Sequence, residues 1–132
     1  MILAVDFDGT IVHDRYPEIG EARPQAIETI KKLRSEGYQL ILWTCRTGVH
    51  LARAVAWCAE RGIRFDAINK NLRSNIKFYG DDPRKISASI YIDDRMAAVL
   101  PGWEEIYEIV HERCPTQQDL LDLEYSNPPA PP

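Results

Sequence analysis

The sequence predicts an α/β fold, a mainly parallel sheet with helices on both faces. Short apolar runs alternate along the chain with segments of helical spacing, which is how strand–helix–strand units read. The first run, Ile2-Leu3-Ala4-Val5, is the near-continuous apolar stretch of a buried parallel strand. It leads into Asp6-Phe7-Asp8-Gly9-Thr10, and a later run, Ile90-Tyr91-Ile92, leads into Asp93-Asp94. Such sheets bind ligands at the carboxyl ends of their strands. Two acid-tipped strands therefore predict one functional edge.

Taken in order, the elements follow from residue type and spacing. Side chains alternate along a strand, so Asp6 and Asp8 are expected on the same side. Gly9 turns the chain without steric cost. Residues 11–22 are mostly polar, with Pro17 and Gly20, and read as a loop or short hairpin. Pro24 suits the first turn of a helix. Ala26, Ile27, Ile30 and Leu33 repeat at helical spacing, and Gly37 ends that helix. Residues 38–43 form a second buried strand, closing in Thr44-Cys45-Arg46-Thr47-Gly48. A second helix covers residues 49–60, with Leu51, Val55 and Cys58 as apolar positions, and stops at Gly62. Residues 65–68 are a short strand. Residues 69–84 read as a long loop, with Gly80 and Pro83. Residues 87–92 are the strand that ends in the acid pair. Pro101 opens a helix with Trp103, Ile106, Tyr107 and Val110 on one face, and residues 119–123 add a helical turn. Residues 1–125 thus read as one domain. Residues 126–132 form a Pro-rich tail, expected to be disordered or extended.

Bulk properties narrow the class. A chain of 132 residues, 45% hydrophobic and 27% charged, suits one soluble globular domain with a real core. The net charge of −4 argues against a molecule built to attract polyanions, and so against nucleic acid as the partner. No apolar run approaches the roughly 20 residues needed to span a bilayer, so no membrane is expected. No basic n-region or cleavage site marks a signal peptide. Cys45, Cys58 and Cys114 are odd in number and widely spaced, which fits reduced thiols in a cytoplasm.

The chemistry follows from the acids. Asp6, Asp8, Asp93 and Asp94 at one sheet edge would repel one another unless a hard cation lay among them. Oxygen ligands without a His or Cys cluster favour Mg²⁺ over zinc. Mg²⁺ commonly shares a substrate phosphate, and the same edge offers phosphate ligands. Thr44 has a hydroxyl at a strand end, the segment from Cys45 and Arg46 leads into a helix N-terminus, and Lys85 lies shortly before the last strand. These parts predict in-line phosphoryl transfer to Asp6. Asp8 would protonate the leaving oxygen and then activate water.

Asp6-Phe7-Asp8-Gly9-Thr10 resembles the first motif of the haloacid dehalogenase superfamily of phosphohydrolases. Thr44 after an apolar strand resembles the second, Lys85 the third, and Asp93-Asp94 the fourth, in the family's order and across nearly the whole chain. The resemblance implies a Rossmann-like three-layer sandwich and a Mg²⁺-dependent phosphatase of phosphate monoesters. Asp6 would be nucleophile and metal ligand. Asp8 would be general acid/base, with its backbone carbonyl on the metal. Thr44 and Lys85 would hold phosphate, and Asp93 and Asp94 would complete the metal site, with Asp94 favoured as the direct ligand. Cys45 and Arg46 are carried with the phosphate-binding segment. Neither interval that holds a cap in the family has room for one here, so no substantial cap domain is expected. An open site suits a large substrate, or a small phosphorylated molecule enclosed by a neighbouring subunit of a homo-oligomer.

Plainer readings compete. Asp8-Gly9 alone is also a hairpin turn. Lys70 rivals Lys85 as the phosphate cation. Arg46 alone is also a surface-pair arginine, and Arg95 reads as structural. His13, His50 and His111 do not cluster, and Cys45 lacks the partners of a nucleophile. The long loop, with Lys70, Arg73, Lys77, Phe78 and Tyr79, is the candidate for substrate contact. Two other functions compete. In a phospho-accepting receiver domain the acid pair comes first and the acceptor later, the reverse of the order here. A nucleotide or nucleic-acid end phosphatase would need the basic loop to outweigh the acidic charge.

Overall fold

The computed structural model describes residues 1–126 and 130–131. Its elements run β1 (Ile2–Val5), β2 (Val12–Arg15), β3 (Glu18–Ala22), α1 (Ala26–Ser35), β4 (Gln39–Leu42), α2 (Gly48–Glu60), β5 (Ala67–Ile68), α3 (Arg73–Tyr79), β6 (Ile90–Ile92), α4 (Trp103–Arg113) and α5 (Gln117–Ser126). Four strands form one parallel sheet in the order β5-β4-β1-β6. β2 and β3 pair antiparallel in a hairpin of their own. The fold is the expected α/β, Rossmann-like sandwich. The hairpin is all that stands between β1 and α1.

Alternation along the strands sorts the core into two faces. Leu3 and Val5 of β1, Leu40 and Leu42 of β4, and Ile90 and Ile92 of β6 pack with Ile30 and Leu33 of α1, Ala54 and Cys58 of α2, and Trp103, Ile106 and Val110 of α4. Ala4, Ile41 and Ala67 face the other way and meet Leu72 and Ile86. The second face is covered by the segment between β5 and β6, so that segment is structural as well as exposed. Among the described residues no helix is long and apolar enough to cross a membrane.

The elements differ from the sequence reading in four places. The expected loop 69–84 contains α3. That helix is seven residues long and buries none of them, so it leaves no apolar stripe to read. Gly80, at φ +74°, ends it in the left-handed conformation. β5 starts only at Ala67, because Asp66 does by side chain what a strand does by backbone. Its carboxylate accepts the Leu40 N–H at 2.8 Å and the Arg34 fork at 2.7 and 3.2 Å. Burial opposes the charge on Asp66, but the bonds from Arg34 and Leu40 outweigh it and hold the carboxyl below its ordinary range. β6 starts at Ile90, and the Ser87 N–H is donated instead to Asn71 Oδ1 at 2.6 Å. α5 starts earlier than the expected turn, because Thr116 and Asp119 cap it reciprocally. The Thr116 hydroxyl donates to Asp119 Oδ2 at 2.8 Å and accepts the Asp119 N–H at 3.2 Å. Of the tail, Asn127, Pro128, Pro129 and Pro132 lie outside the described residues.

One contact ties the helical layer to the acid-bearing loop. Trp103 Nε1 donates to the backbone carbonyl of Thr10 at 2.9 Å, and both residues are buried. Replacing Trp103 by Phe keeps most of the packing and leaves that carbonyl unpaired. Urea unfolding should show a loss of about 1–3 kcal/mol, the range for a buried group left unsatisfied.

Candidate functional site

From β1 the chain steps outward to β4 and β5, then crosses back to place β6 on the other side of β1. The carboxyl ends of β1 and β6 therefore flank a topological switch point, where sheets of this kind open a crevice. Register sets the levels. Val5 pairs with Leu42 on one side and Ile92 on the other. Asp6, Trp43 and Asp93 are thus each one residue beyond a paired position. The ladder extends one further step, with the Asp6 N–H donated to Ile92 O at 3.0 Å and the Trp43 N–H to Val5 O at 2.9 Å.

Carboxylate oxygens of Asp6, Asp93 and Asp94 all lie within 4.8 Å of one another. Thr10, fully buried, organises them. Its hydroxyl donates to Asp6 Oδ2 at 2.9 Å and accepts the Asp94 N–H at 3.0 Å. Gly9 has φ +84°, and a Cβ there would run into the Asp94 carboxylate. Glycine is therefore required both by the turn and by the approach of Asp94.

Burial is the main force on the Asp6 carboxyl, followed by its hydrogen bond with Asp94. The Thr10 hydroxyl works in the opposite direction, and the charges of Asp93 and Asp94 add to the rise, which carries Asp6 from 3.8 to about 8. Carboxylates this close demand a proton or a cation between them. The donors are all oxygens, which fits a hard divalent ion such as Mg²⁺.

Asp8 does not join this group. Its carboxylate turns to Arg46, which forks onto it with Nε–Oδ2 and Nη2–Oδ1 both at 2.7 Å. Hydrogen bonding and charge from Asp8 raise the Arg46 pKa further, against the opposing effect of burial. Arg46 also donates to Pro17 O, Glu18 O and His50 O. These bonds use all five guanidinium N–H groups. The expected phosphate ligand thus has no donor left to offer in this arrangement. Arg46 is 1% exposed; a surface pair is excluded as well.

Asp6, Asp8, Thr44, Cys45, Arg46 and Asp93 line one open cavity of about 700 Å³. The Thr44 hydroxyl accepts the Arg46 N–H at 3.1 Å, which leaves its proton to donate. Asn69 holds this turn in place. Its side-chain oxygen accepts the Thr44 N–H at 2.8 Å, and its backbone is left-handed at φ +53°. Cys45 is exposed and unpaired. Lys85 is exposed and does not line the cavity. Its rival Lys70 lines a different hollow with Asp66 and Ile76. A wider groove between α1 and α4, of about 820 Å³, is walled by Glu28, Glu104, Glu105 and Glu108 and shares no lining residue with the cavity beside Asp6.

Sequence reasoning missed five contributors. Tyr16, Asp14, Trp43 and Arg95 line the cavity. The Arg95 backbone N–H donates to Asp93 Oδ1 at 2.9 Å, while its guanidinium has no carboxylate within 4.0 Å among the described residues. Asn69 was legible only as an Asn after a strand, a residue type that tolerates left-handed backbone.

The raised Asp6 carboxyl makes a stability prediction. In the metal-free protein the folded state holds a proton on Asp6 that the unfolded chain releases near pH 4. Stability should therefore fall as pH rises from about 4 to about 8. Asp6→Asn should flatten that fall and raise Tm at pH 8 by several degrees, the change about 1 kcal/mol makes in a domain of this size. Thermal melts in EDTA across that range measure it, and millimolar Mg²⁺ should raise the wild-type Tm most at the alkaline end.

Neither a protein-family model nor a curated protein matches this chain. Among solved structures, a conserved protein from Bacteroides thetaiotaomicron is similar. It is 46% identical, the match covers 91% of this chain and 96% of that one, and the TM-score is 0.79.

Proposed function

We propose that this chain, which belongs to one family with that conserved Bacteroides protein, is a Mg²⁺-dependent phosphatase of phosphate monoesters. The observation that carries the reading is one cavity lined by two members of a carboxylate trio, Asp6 and Asp93, with Asp94 beside them, by a second aspartate two residues past the first, and by Thr44. Asp6, Asp93 and Asp94 would hold Mg²⁺, with the backbone carbonyl of Asp8 as the resemblance implies. The ion would offset the charge of the carboxylates and the phosphate.

The remaining steps belong to this chain's own residues. The Asp6 carboxylate attacks phosphorus and the bond from phosphorus to the leaving oxygen breaks; Asp8, whose two oxygens both accept from Arg46 in this arrangement, takes up a proton before the reaction and supplies it to that oxygen. Water then attacks the aspartyl phosphate, Asp8 takes the water's proton, and phosphate leaves. Thr44 donates to a phosphate oxygen. The position of Arg95 on the cavity wall, with no ion pair to its guanidinium among the described residues, supports it as the cation that meets the phosphate, in preference to Lys85.

A cavity of about 700 Å³ is of the size that takes small molecules, which favours a phosphorylated metabolite. A macromolecular phosphate end is a second reading. It is supported by Phe78 and Tyr79, stacked edge-on at 4.9 Å and largely exposed, among the exposed Lys70, Arg73 and Lys77. Binding that falls steeply with salt would favour it. The three free cysteines support a reducing, cytoplasmic setting.

Release of inorganic phosphate from a panel of phosphorylated metabolites, with and without Mg²⁺, tests the reading. Asp6→Asn should abolish turnover in a folded protein, and normal hydrolysis by that variant would overturn the mechanism. Asp8→Ala should slow turnover by about 10²–10⁴-fold, the usual range for a lost acid/base. Arg95→Ala should raise KM more than Lys85→Ala does. The opposite order would return the phosphate to Lys85.

A further inference from the structure

The five N–H groups of Arg46 reach three separate parts of the chain. Two fork onto Asp8. Two go to the tip of the β2–β3 hairpin, at Pro17 O (3.1 Å) and Glu18 O (2.9 Å), and one to His50 O in α2 at 3.3 Å. The rings of Phe7 and Tyr16 lie against the guanidinium, at 5.2 and 5.1 Å. Among the described residues the hairpin has no strand partner in the main sheet. Its base is anchored by the buried Ile11 and Val12. Its tip meets the body through Arg46 and the contact of Tyr16 with His50.

We propose that Arg46 is a positioning residue that seats the hairpin beside the cavity and orients Asp8 with the same guanidinium, so that hairpin and Asp8 move as one unit. The physical ground is the rigidity of the planar fork. It cannot turn about one set of partners while keeping the others. A buried guanidinium stripped of its carboxylate must find new partners or water, and the hairpin carbonyls would lose their donors as it does so. A hairpin that lifts takes two acceptors from Arg46 and frees it to swing, and the Asp8 carboxylate held in its fork moves with it. In a chain without a cap, this couples covering of the cavity to the aim of the proton-transfer group. The catalytic half of the proposal rests on the phosphatase reading. The coupling of hairpin to Asp8 rests on the contacts alone.

The test uses the whole chain and two variants that keep the site polar. Arg46→Lys keeps the charge and loses the fork, and Asp8→Asn keeps the shape and loses the charge. Hydrogen exchange of amides 12–22 should quicken about tenfold or more in each variant, while β1 and β4 amides hold their protection. In the phosphatase assay Arg46→Lys should lower kcat about 100-fold, the loss a small misplacement of a catalytic group brings, with KM little changed. In the Asp8→Asn background the same substitution should lower kcat less than about threefold, the mark of a residue acting through Asp8. Wild-type hairpin exchange in Asp8→Asn would overturn the coupling. Equal kcat losses with and without Asp8 would overturn the positioning role. If the wild-type chain hydrolyses no phosphate ester, the phosphatase reading fails, and the exchange result by itself decides the coupling.

Discussion

Three carboxylates within 4.8 Å of one another are a standing repulsion, and much of the structure around them serves to hold them there. The parallel register makes Val5 the last paired residue of β1 towards both neighbours, which brings Asp6 and Asp93 to one level. Thr10 bridges Asp6 to Asp94 with a single hydroxyl. The carbonyl of Thr10 is in turn fixed by Trp103 from α4. The helical layer thus reaches the acids through two hydrogen bonds. An acid group pushed up to about 8 by burial and by its acid neighbours destabilises the fold at neutral pH in exchange for an affinity for protons or cations. That is the pattern in which local stability is given up at a functional site.

The second constraint separates the two acids of the first loop. Alternation along a strand places Asp6 and Asp8 on one side. The strand, however, ends at Val5, and beyond it the chain turns through Gly9 at φ +84°. Strand geometry therefore no longer governs Asp8. Its direction is set by Arg46, 38 residues away in sequence. One carboxylate meets acids and is pushed towards neutrality, while the other meets a guanidinium and accepts two short bonds. In the metal-free chain these environments run opposite to the proposed roles: a nucleophilic Asp6 needs a cation among the acids to keep its charge, and Asp8 must take up a proton against the pull of Arg46.

What the sequence revealed follows from the range of the forces involved. The four sheet strands, α1, α2 and α4 are written in apolar spacing, which is local, so their positions were legible to within a few residues. The edge that carries Asp6, Thr44 and Asp93 was legible too, because a parallel sheet collects its strand ends. The ends of β5 and β6 were not, since Asp66 and Ser87 spend their bonding capacity on Leu40, Arg34 and Asn71, partners no local pattern discloses. α3 escaped because it buries nothing. Arg46 is the instructive residue. A basic side chain after a strand-end threonine reads as a phosphate ligand by residue type. Only three-dimensional accounting shows all five donors already given away.

That accounting also changes the meaning of a chain without a cap. The interval after β1 holds a hairpin of two short strands, too small to enclose a substrate by itself. Its tip is nonetheless bound through a buried cation to the carboxylate of Asp8. A cap domain closes a site by covering area. A hairpin this small can act only at a point, and the point it reaches through Arg46 is Asp8, the residue proposed to move the proton. Tyr16, on the same tip, lines the cavity and lies against Arg46. A ligand that displaced Tyr16 would act on Arg46 directly and on Asp8 through the fork. The small size of the hairpin is then no obstacle to control, because the coupling runs through one rigid guanidinium and needs no large surface to carry it.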